Sequence, residues 1–197
     1  MRLTGGIAKG RKIYSRKGLA TRPALSRVRN SIFNILAASN GIEGKNVLDL
    51  FAGSGSLGLE ALSRSANYCI FVDSALPCVK AIAQNIKTLR FEARAKVIKK
   101  NVFSIVPFLV ETNFKFDIIF IAPPYDFFVD AVRNNKLSNL LSEMTACSVT
   151  DANTLFIVEH RAKNGFEREP SGLTLADQRK YGQTEVEFYK KVGGENH

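Results

Sequence analysis

The segment from residue 47 to residue 60 constrains the fold of this chain more than any other. Its first five residues are mostly apolar, which is typical of a buried strand. Gly53, Gly55 and Gly58 then form a G-x-G-x-x-G turn, and the pattern changes to a helix at Leu57–Arg64. Because glycines let the backbone turn sharply and approach a ligand closely, this order predicts the nucleotide-binding half of a doubly wound α/β sheet.

Two acidic residues lie at the ends of the predicted strands beside this turn. Asp73 ends the next apolar run, Tyr68–Val72, twenty residues after Gly53, where a carboxylate can accept hydrogen bonds from ribose hydroxyls. Asp49 lies four residues before Gly53. A negative charge there suits the cationic groups of S-adenosylmethionine and is unfavourable beside the pyrophosphate of a dinucleotide. Two simpler interpretations stay open: Asp49 only caps the turn, and Asp73 is a solvated strand end.

Composition indicates one ordinary globular domain with a complete core. The chain has 197 residues, of which 45% are hydrophobic and 23% charged. No apolar run approaches the roughly 20 residues of a membrane helix, and the first residues lack the apolar segment of a signal peptide. The three cysteines are scattered and histidines number only two, so we expect no metal site. We also expect a monomer in the reducing cytoplasm, with Cys69 as a small core residue.

The charge of the chain is strongly positive and unevenly distributed. Lysine and arginine number 28 against 18 acidic residues, which gives a net charge of +10. The first 29 residues contain nine basic side chains and no acidic one. This concentration favours a polyanion such as nucleic acid as partner, although a solvated basic face remains the alternative. The nine are Arg2, Lys9, Arg11, Lys12, Arg16, Lys17, Arg22, Arg27 and Arg29.

The rest of the pattern predicts an α/β fold in which strands and helices alternate. Residues 1–20 have short β-type runs broken by glycines, which predicts a small hairpin, and a helix follows at 24–38 with Arg27 and Arg29 outside its packed face. Such alternation implies a mostly parallel sheet covered on both faces. The predicted strands are Asn46–Phe51, Tyr68–Val72, Ala95–Ile98, Asp117–Ile121 and Thr154–Val158. The predicted helices between them are Leu57–Arg64, Pro77–Leu89, Phe103–Glu111 and Val129–Leu141.

The C-terminal pattern departs from this alternation. Leu173–Tyr181 and Thr184–Lys191 are two strand-like runs around Gly182 and Gln183, which predicts an antiparallel hairpin. With it, the sheet is a doubly wound, mostly parallel, seven-stranded Rossmann-like sheet. Parallel strands that end in an antiparallel hairpin are typical of class I methyltransferases rather than dehydrogenases. We expect a basic N-terminal hairpin for RNA at 1–22 and a methyltransferase domain at 23–197.

A second candidate site follows the fourth predicted strand, where Ala122, Pro123, Pro124 and Tyr125 form a turn. The carboxyl ends of strands line the ligand crevice of a doubly wound fold. Two prolines stiffen the turn and offer only carbonyl acceptors, while Tyr125 adds an aromatic face. Acceptors beside a ring suit the exocyclic amino group of a flat base. A rigid loop with a packed tyrosine remains the alternative.

The chain resembles the bacterial small-subunit rRNA guanine-N2 methyltransferases along nearly its whole length. The glycine turn and the Pro-Pro-Tyr turn are shared with class I amino-methyltransferases more widely, whereas the N-terminal motifs are specific to this family. The motifs that carry the resemblance are Gly5-Gly6, Gly10-Arg11-Lys12, Thr21-Arg22-Pro23, Arg27-Val28-Arg29, Phe33-Asn34, the segment Asp49–Glu60, Ala61–Arg64, Val158-Glu159 and Lys180-Tyr181-Gly182.

This resemblance implies methyl transfer from S-adenosylmethionine to the N2 amine of a guanine in 16S rRNA, on free RNA or on the small ribosomal subunit. Where this chain has Ala122, the family has Asp or Asn, whose side chain accepts a hydrogen bond from the target amine. The resulting assignment is Ala122, Pro123, Pro124 and Tyr125 for catalysis; Asp49, Phe51, Gly53, Gly55, Asp73 and Asn101 for the cofactor; and Arg11, Lys12, Arg22 and Arg27 for RNA.

Three functions are compatible with these residues. The first is an active rRNA methyltransferase. The second is a catalytically weakened homologue that binds RNA as an assembly factor, and it is supported by Ala122 alone. The third is a dinucleotide-dependent oxidoreductase, which Asp49, the Pro-Pro-Tyr turn and the predicted C-terminal hairpin disfavour.

Overall fold

The computed structural model describes residues 1–15, 23–39, 41–167 and 169–192. Arg22, one of the residues expected to bind RNA, lies outside the described residues. The chain forms two compact units, Met1–Val102 and Phe103–His197.

The first unit begins with a hairpin that packs into its core. Arg2 pairs with Lys12 in antiparallel fashion, and the backbone N–H of Leu3 donates to the carbonyl of Arg11 at 3.1 Å. The side chains of Leu3 and Ile13, next to the paired residues Arg2 and Lys12, are buried, and so is that of Ala8 in the turn. This N-terminal segment is therefore part of the hydrophobic core of the first unit.

Three parallel strands, in the order β3-β2-β1, form the sheet of the first unit. A Cβ atom at Gly58 would lie 2.3 Å from Phe71 Cε1, so only glycine lets helix α2 pack this closely on strand β2. The elements are α1 Pro23–Ala38, β1 Asn46–Leu50, α2 Ser56–Ser63, β2 Tyr68–Asp73, α3 Leu76–Leu89 and β3 Ala95–Lys99.

Four strands in the order β4-β5-β7-β6 form the sheet of the second unit. Strands β4 and β5 are parallel, whereas β7 runs antiparallel to both β5 and β6. A 3₁₀ turn, Tyr125–Phe128, follows β4. The elements are α4 Val106–Glu111, β4 Ile118–Ile121, α5 Ala131–Ala146, β5 Leu155–Arg161, β6 Leu173–Tyr181 and β7 Thr184–Lys191.

The described residues form seven strands, with parallel pairing in each unit and an antiparallel C-terminal hairpin. These features confirm the predicted fold class. Two helices begin two or three residues later than predicted, and helix α5 also ends later, at Ala146 rather than Leu141. Helix α4 begins at Val106 rather than Phe103, because Pro107 lacks an N–H and is tolerated only in a first helical turn. Helix α5 begins at Ala131 rather than Val129, since the side chain of Asp130 caps it by accepting a 2.9 Å hydrogen bond from the N–H of Arg133.

The prediction that Arg29 lies on an outer face of its helix is wrong. Its side chain is 3% exposed, and its Nε donates to Glu60 Oε2 at 3.1 Å. Glu60 is itself fully buried and accepts from the N–H of Thr4 at 2.9 Å and from Arg64 Nε at 3.0 Å. A buried arginine needs such a partner, so Arg29 holds the N-terminal hairpin and helix α2 together and does not belong to a basic surface.

Within the described residues, none of the helices combines the length and apolar character needed to cross a membrane. The same residues contain no cluster of three or more histidine, cysteine or acidic side chains that could hold a metal ion.

Candidate active site

The glycine loop begins with a strained backbone turn at the end of β1. Phe51 has a φ of 55°, a left-handed conformation that costs a residue with a Cβ about 1–2 kcal/mol. Gly53 and Gly55 follow with φ values of 57° and 75°, and the N–H of Gly55 donates to the carbonyl of Ala52 at 2.7 Å. The loop therefore has a defined shape, and a Cβ at Gly53 would meet nothing closer than 3.9 Å, so its outer side is open.

Asp73 fixes this loop from the end of the neighbouring strand. Its Oδ2 accepts a 2.8 Å hydrogen bond from the N–H of Gly53, and its Oδ1 accepts one of 2.8 Å from the N–H of Ala75. The residue is 9% exposed, so it is not a solvated strand end. Each carboxylate oxygen has two acceptor sites, and Asp73 can still accept hydrogen bonds from the hydroxyls of a ligand.

Asp49 lies beneath the first turn of helix α2. It is 1% exposed, and its Oδ2 accepts a 3.0 Å hydrogen bond from the N–H of Gly58. The carboxylate thus caps this helix, where the helix dipole stabilises negative charge. A pyrophosphate would need the same end of the helix, so Asp49 makes the loop a poor dinucleotide site. Two carboxylates beside an open glycine loop fit a cofactor that carries positive charge and a ribose.

Cys69 behaves as the small core residue that the sequence predicts. Burial raises the pKa of its thiol well above the ordinary value, and the charge of Asp49 raises it further. The thiol therefore stays protonated and is not a nucleophile.

The Pro-Pro-Tyr turn contains a carbonyl that accepts no hydrogen bond from the described residues, two positions before an exposed aromatic residue. The N–H of Phe127 donates to the carbonyl of Pro124 at 3.0 Å, whereas that of Pro123 has no hydrogen-bond partner among the described residues. Pro123 is buried, and a buried carbonyl without a partner is uncommon. Tyr125 is 38% exposed, so its ring is accessible, and Ala122 contributes only a methyl group.

Contacts on the 3₁₀ turn stabilise this arrangement. The rings of Phe103 and Phe127 stack with centroids 5.9 Å apart, and the guanidinium of Arg133 lies 5.3 Å from the ring of Phe127. Arg133 also pairs with Asp126. Asp126 is therefore already engaged by a cation, although it directly follows Tyr125.

A buried polar cluster lies behind the same turn, and it was not predicted from the sequence. The ring of Phe128 packs against that of His160 at 4.9 Å. His160 Nε2 lies 3.3 Å from Glu187 Oε2, which is an ion-pair separation rather than a well-aligned hydrogen bond. Burial alone lowers the pKa of His160, but Glu187 and the carbonyl of Arg161 outweigh it, so the pKa is raised. His160 and Glu187 thus form a buried pair, and the packing of Phe128 on His160 connects this pair to the end of the turn.

The basic residues expected to contact RNA are exposed where the structure describes them. Arg11, Lys12 and Arg27 are all at the surface, and the guanidinium of Arg11 donates to the carbonyl of Thr88 in helix α3. Asn101, expected near the cofactor, is exposed just after strand β3.

Strand β7 pairs antiparallel with β5, which distinguishes this fold from the dehydrogenases. The fold is that of the class I methyltransferases, whose cofactor is S-adenosylmethionine. The magnesium protoporphyrin IX methyltransferase of Synechocystis, solved with this cofactor bound, shares the fold with a TM-score of 0.63 at 13% identity. Over residues 1–190 the chain matches the model of the family described as "Conserved hypothetical protein 95", and it belongs to that family.

Relatives of this family extend over nearly the whole chain. Ribosomal RNA small subunit methyltransferase D of Escherichia coli is 30% identical over 191 residues, which are 97% of this chain and 90% of that protein. YlbH of Bacillus subtilis, provisionally named an rRNA methyltransferase, is 33% identical over 193 residues, 98% of this chain and 100% of that one. The solved structure of yhhF from Escherichia coli, provisionally described as a methyltransferase, has a TM-score of 0.80 at 29% identity and covers 98% and 99% of the two chains.

Proposed function

We propose that this chain transfers a methyl group from S-adenosylmethionine to the exocyclic N2 amine of a guanine in 16S rRNA. The relative named ribosomal RNA small subunit methyltransferase D, aligned over 97% of this chain, supports the substrate class. The observation that supports an amine on a flat base is the carbonyl of Pro123, which has no hydrogen-bond partner among the described residues and lies two positions before the accessible Tyr125.

The cofactor is assigned to the glycine loop and the acids around it. Asp73 accepts from the ribose hydroxyls while it holds the loop, and Asp49 stabilises the positive charge of the cofactor from below the loop. The backbone of Phe51, Gly53 and Gly55 lines the contact surface. In addition to these, Asn101 is assigned to the adenine. The cofactor supplies an activated methyl group on a sulfonium.

The base is assigned to the Pro-Pro-Tyr turn. The amine lone pair of guanine is delocalised into the ring and must leave conjugation before it attacks the methyl carbon. The bond from that carbon to sulfur would break, S-adenosylhomocysteine would leave, and the amine would lose one proton to water. An acceptor on the amine hydrogens favours that state because positive charge develops on nitrogen. The carbonyl of Pro123 is that acceptor, Tyr125 stacks on the base, and Pro124 keeps the turn stiff. The remaining contribution is alignment of nitrogen, carbon and sulfur.

The RNA backbone is assigned to basic residues of the N-terminal segment. Arg11, Lys12 and Arg27 are exposed, and with Arg22 they would neutralise phosphates on a structured part of the RNA. We assign this task to residues 1–22 as a functional region, together with Arg27, and the chemistry to residues 23–197.

Ala122 favours a second candidate function, a weakened homologue that binds RNA and cofactor. The methyl group of Ala122 accepts no hydrogen bond, and the nearby Asp126 is paired with Arg133. Under this alternative the binding steps remain and methyl transfer is slow. The oxidoreductase is not proposed, because Asp49 caps the helix end that a dinucleotide would need.

Transfer of radiolabelled methyl from S-adenosylmethionine to 16S rRNA and to small ribosomal subunits tests the proposal, with nucleoside analysis of the product. We expect label in N2-methylguanosine, and we expect calorimetry to detect binding of S-adenosylmethionine but not of NAD. Label in another nucleoside would contradict the assignment of the amine. Binding of both RNA and cofactor without transfer would favour the weakened homologue.

A further inference from the structure

A groove runs between the N-terminal hairpin and helix α3, within the first unit. Its volume is about 760 Å³, which is large for a single ion. The helix residues that line it extend from Pro77 to Thr88, or about 17 Å along the helix at 1.5 Å per residue. The lining residues are Lys12, Tyr14, Pro77, Lys80, Ala81, Gln84, Asn85 and Thr88.

Tyr14 is held in this groove by its backbone while its ring stays in solvent. The N–H of Tyr14 donates to Asn85 Oδ1 at 2.6 Å, and the carbonyl of Tyr14 accepts from Asn85 Nδ2 at 2.9 Å. Asn85 is 2% exposed, whereas Tyr14 is 60% exposed. A large aromatic ring that is exposed on a fixed backbone has the properties of a stacking platform for a base.

The walls of the groove carry positive charge and no compensating acid. Neither residues 1–15 nor helix α3 contains an aspartate or a glutamate. Lys12 and Lys80 line opposite walls, and Arg11 lies close by because its guanidinium donates to the carbonyl of Thr88. An open, basic groove with an aromatic platform has the two features that single-stranded nucleic acid needs, a cationic path for phosphates and a flat face for a base.

The groove is also linked to the cofactor loop. The same side-chain amide of Asn85 that holds Tyr14 donates to the carbonyl of Ser54 at 3.1 Å. Ser54 lies between Gly53 and Gly55 in the glycine loop, so one buried side chain connects the platform to the loop.

We propose that this groove binds an unpaired segment of the RNA substrate, with one base stacked on Tyr14 and its phosphates on Lys12 and Lys80. The inference rests on the proposed function for the identity of the RNA, and it adds a binding site separate from the Pro-Pro-Tyr turn. Asn85 acts as a positioning residue, since it sets the place of Tyr14 and touches no RNA itself.

Stacking is tested by Tyr14→Ala beside Tyr14→Phe, because phenylalanine keeps the ring and loses only the hydroxyl. The probe is a short fluorescein-labelled oligouridylate, followed by fluorescence anisotropy at one fixed salt concentration. We expect Tyr14→Ala to weaken binding roughly five- to a hundredfold, which is the range for loss of one stacked base, and Tyr14→Phe to bind within about twofold of the native chain. Equal affinity of Tyr14→Ala and the native chain would overturn the proposal.

The charge contribution is tested by two double variants that lose the same charge from the same two elements. The first variant, Lys12→Gln with Lys80→Gln, removes the two lysines that line the groove. The second variant, Lys9→Gln with Lys87→Gln, removes one lysine of the hairpin and one lysine of α3, neither of which lines the groove. We expect the first pair to weaken binding at least fivefold more than the second. Equal losses would mean that RNA senses only the net charge, and the groove would be rejected.

Methyl transfer by the native chain to 16S rRNA, measured in parallel, separates failure of the groove from failure of the proposed function. If the native chain methylates rRNA while Tyr14→Ala binds RNA normally, the groove proposal alone fails. If Tyr14→Ala loses RNA binding while the native chain transfers no methyl group, the groove stands and the proposed activity fails.

Discussion

The carboxylate of Asp73 accepts a 2.8 Å hydrogen bond from the backbone N–H of Gly53, and this bond ties the end of strand β2 to the glycine loop after strand β1. One acidic residue therefore both shapes the loop and remains able to bind a ribose. Twenty residues separate the two in sequence, and the parallel pairing of β1 with β2 brings them together.

Replacing Asp73 with alanine should weaken S-adenosylmethionine binding by roughly ten- to a hundredfold, because a charge-assisted hydrogen bond contributes about 1.5–3 kcal/mol. Isothermal titration calorimetry measures the change. Asp151→Ala is a matched control, since Asp151 also accepts a backbone hydrogen bond, from Asn153 at 2.8 Å, but lies in the second unit. An unchanged dissociation constant for Asp73→Ala would show that the ribose is bound elsewhere.

Replacing Arg11, Lys12 and Arg22 together with alanine should weaken RNA binding and reduce its salt dependence. The logarithmic salt slope should fall by roughly 0.7–0.9 for each phosphate that the variant no longer neutralises. Affinity for S-adenosylmethionine should barely change, which calorimetry on the same protein checks. If the triple variant keeps the salt slope of the native chain, these basic residues form only a solvated surface.

Replacing Ala122 with aspartate should raise the rate of methyl transfer at least tenfold in single-turnover experiments with small ribosomal subunits. A preorganised partner of this kind contributes about a hundred- to a thousandfold in comparable sites, and cofactor affinity should stay nearly constant. Asp126→Ala in the native background tests whether Asp126 supplies part of the missing acceptor despite its pairing with Arg133. A fast native rate that Ala122→Asp leaves unchanged would mean that other groups hold the amine.

Replacing Arg29 with alanine should destabilise the first unit by about 3–5 kcal/mol, because it leaves the buried charge of Glu60 without one of its partners. Urea denaturation measures the loss. Arg133→Ala is the control, since the pair of Arg133 and Asp126 is exposed and should contribute less than about 1 kcal/mol. Similar losses in the two variants would contradict the structural role of Arg29.

The pair of His160 and Glu187 should make stability depend on pH. Burial alone raises the pKa of Glu187, but the facing His160 and the hydrogen bonds from Tyr189 and Gln178 outweigh it and lower that pKa below its ordinary 4.5. The pKa of His160 is raised above its ordinary 6.5, with the charge of Glu185 adding to that of Glu187. The pair therefore contributes its full stabilisation of the folded state between about pH 4.5 and about pH 6.5, the ordinary pKa values of the two groups.

As pH rises through the raised pKa of His160, the imidazolium loses its proton and this contribution disappears. We expect the free energy of unfolding in urea to fall as pH rises above about 6.5, the ordinary pKa of histidine. In Glu187→Gln the fall should be much smaller, because the variant loses the hydrogen bond and the charge of Glu187 that raise the pKa of His160, while burial still lowers it. The same fall in both proteins would exclude the pair as its cause.

Local patterns predicted most of the fold. Strands β6 and β7 have the predicted bounds because a short polar turn separates two β-type runs, and the glycine turn follows from its spacing. Long-range polar pairs were not predictable in this way. Helical periodicity indicates which face of α1 packs, but it does not reveal that Arg29 meets Glu60, 31 residues later. Asn85 and Tyr14, 71 residues apart, likewise share no local signal.

For the candidate site, sequence motifs predicted Asp49 and Asp73 as cofactor residues, and the structure adds the hydrogen bonds that these two side chains make. The hydrogen bonds of Asp49 and Asp73 depend on how α2 and the glycine loop pack, which no motif specifies. The side chain at position 122 acts in the transition state, so its contribution is measured by the rate of methyl transfer.

Mass spectrometry of 16S rRNA from a strain that lacks the gene, compared with the same strain carrying it, tests the central claim most directly. The account predicts one N2-methylguanosine that is absent without the gene and restored with it, and that Asp73→Ala fails to restore. An identical set of modified nucleosides in both strains, while the purified chain binds S-adenosylmethionine and RNA, would contradict methylation of small-subunit rRNA by this protein.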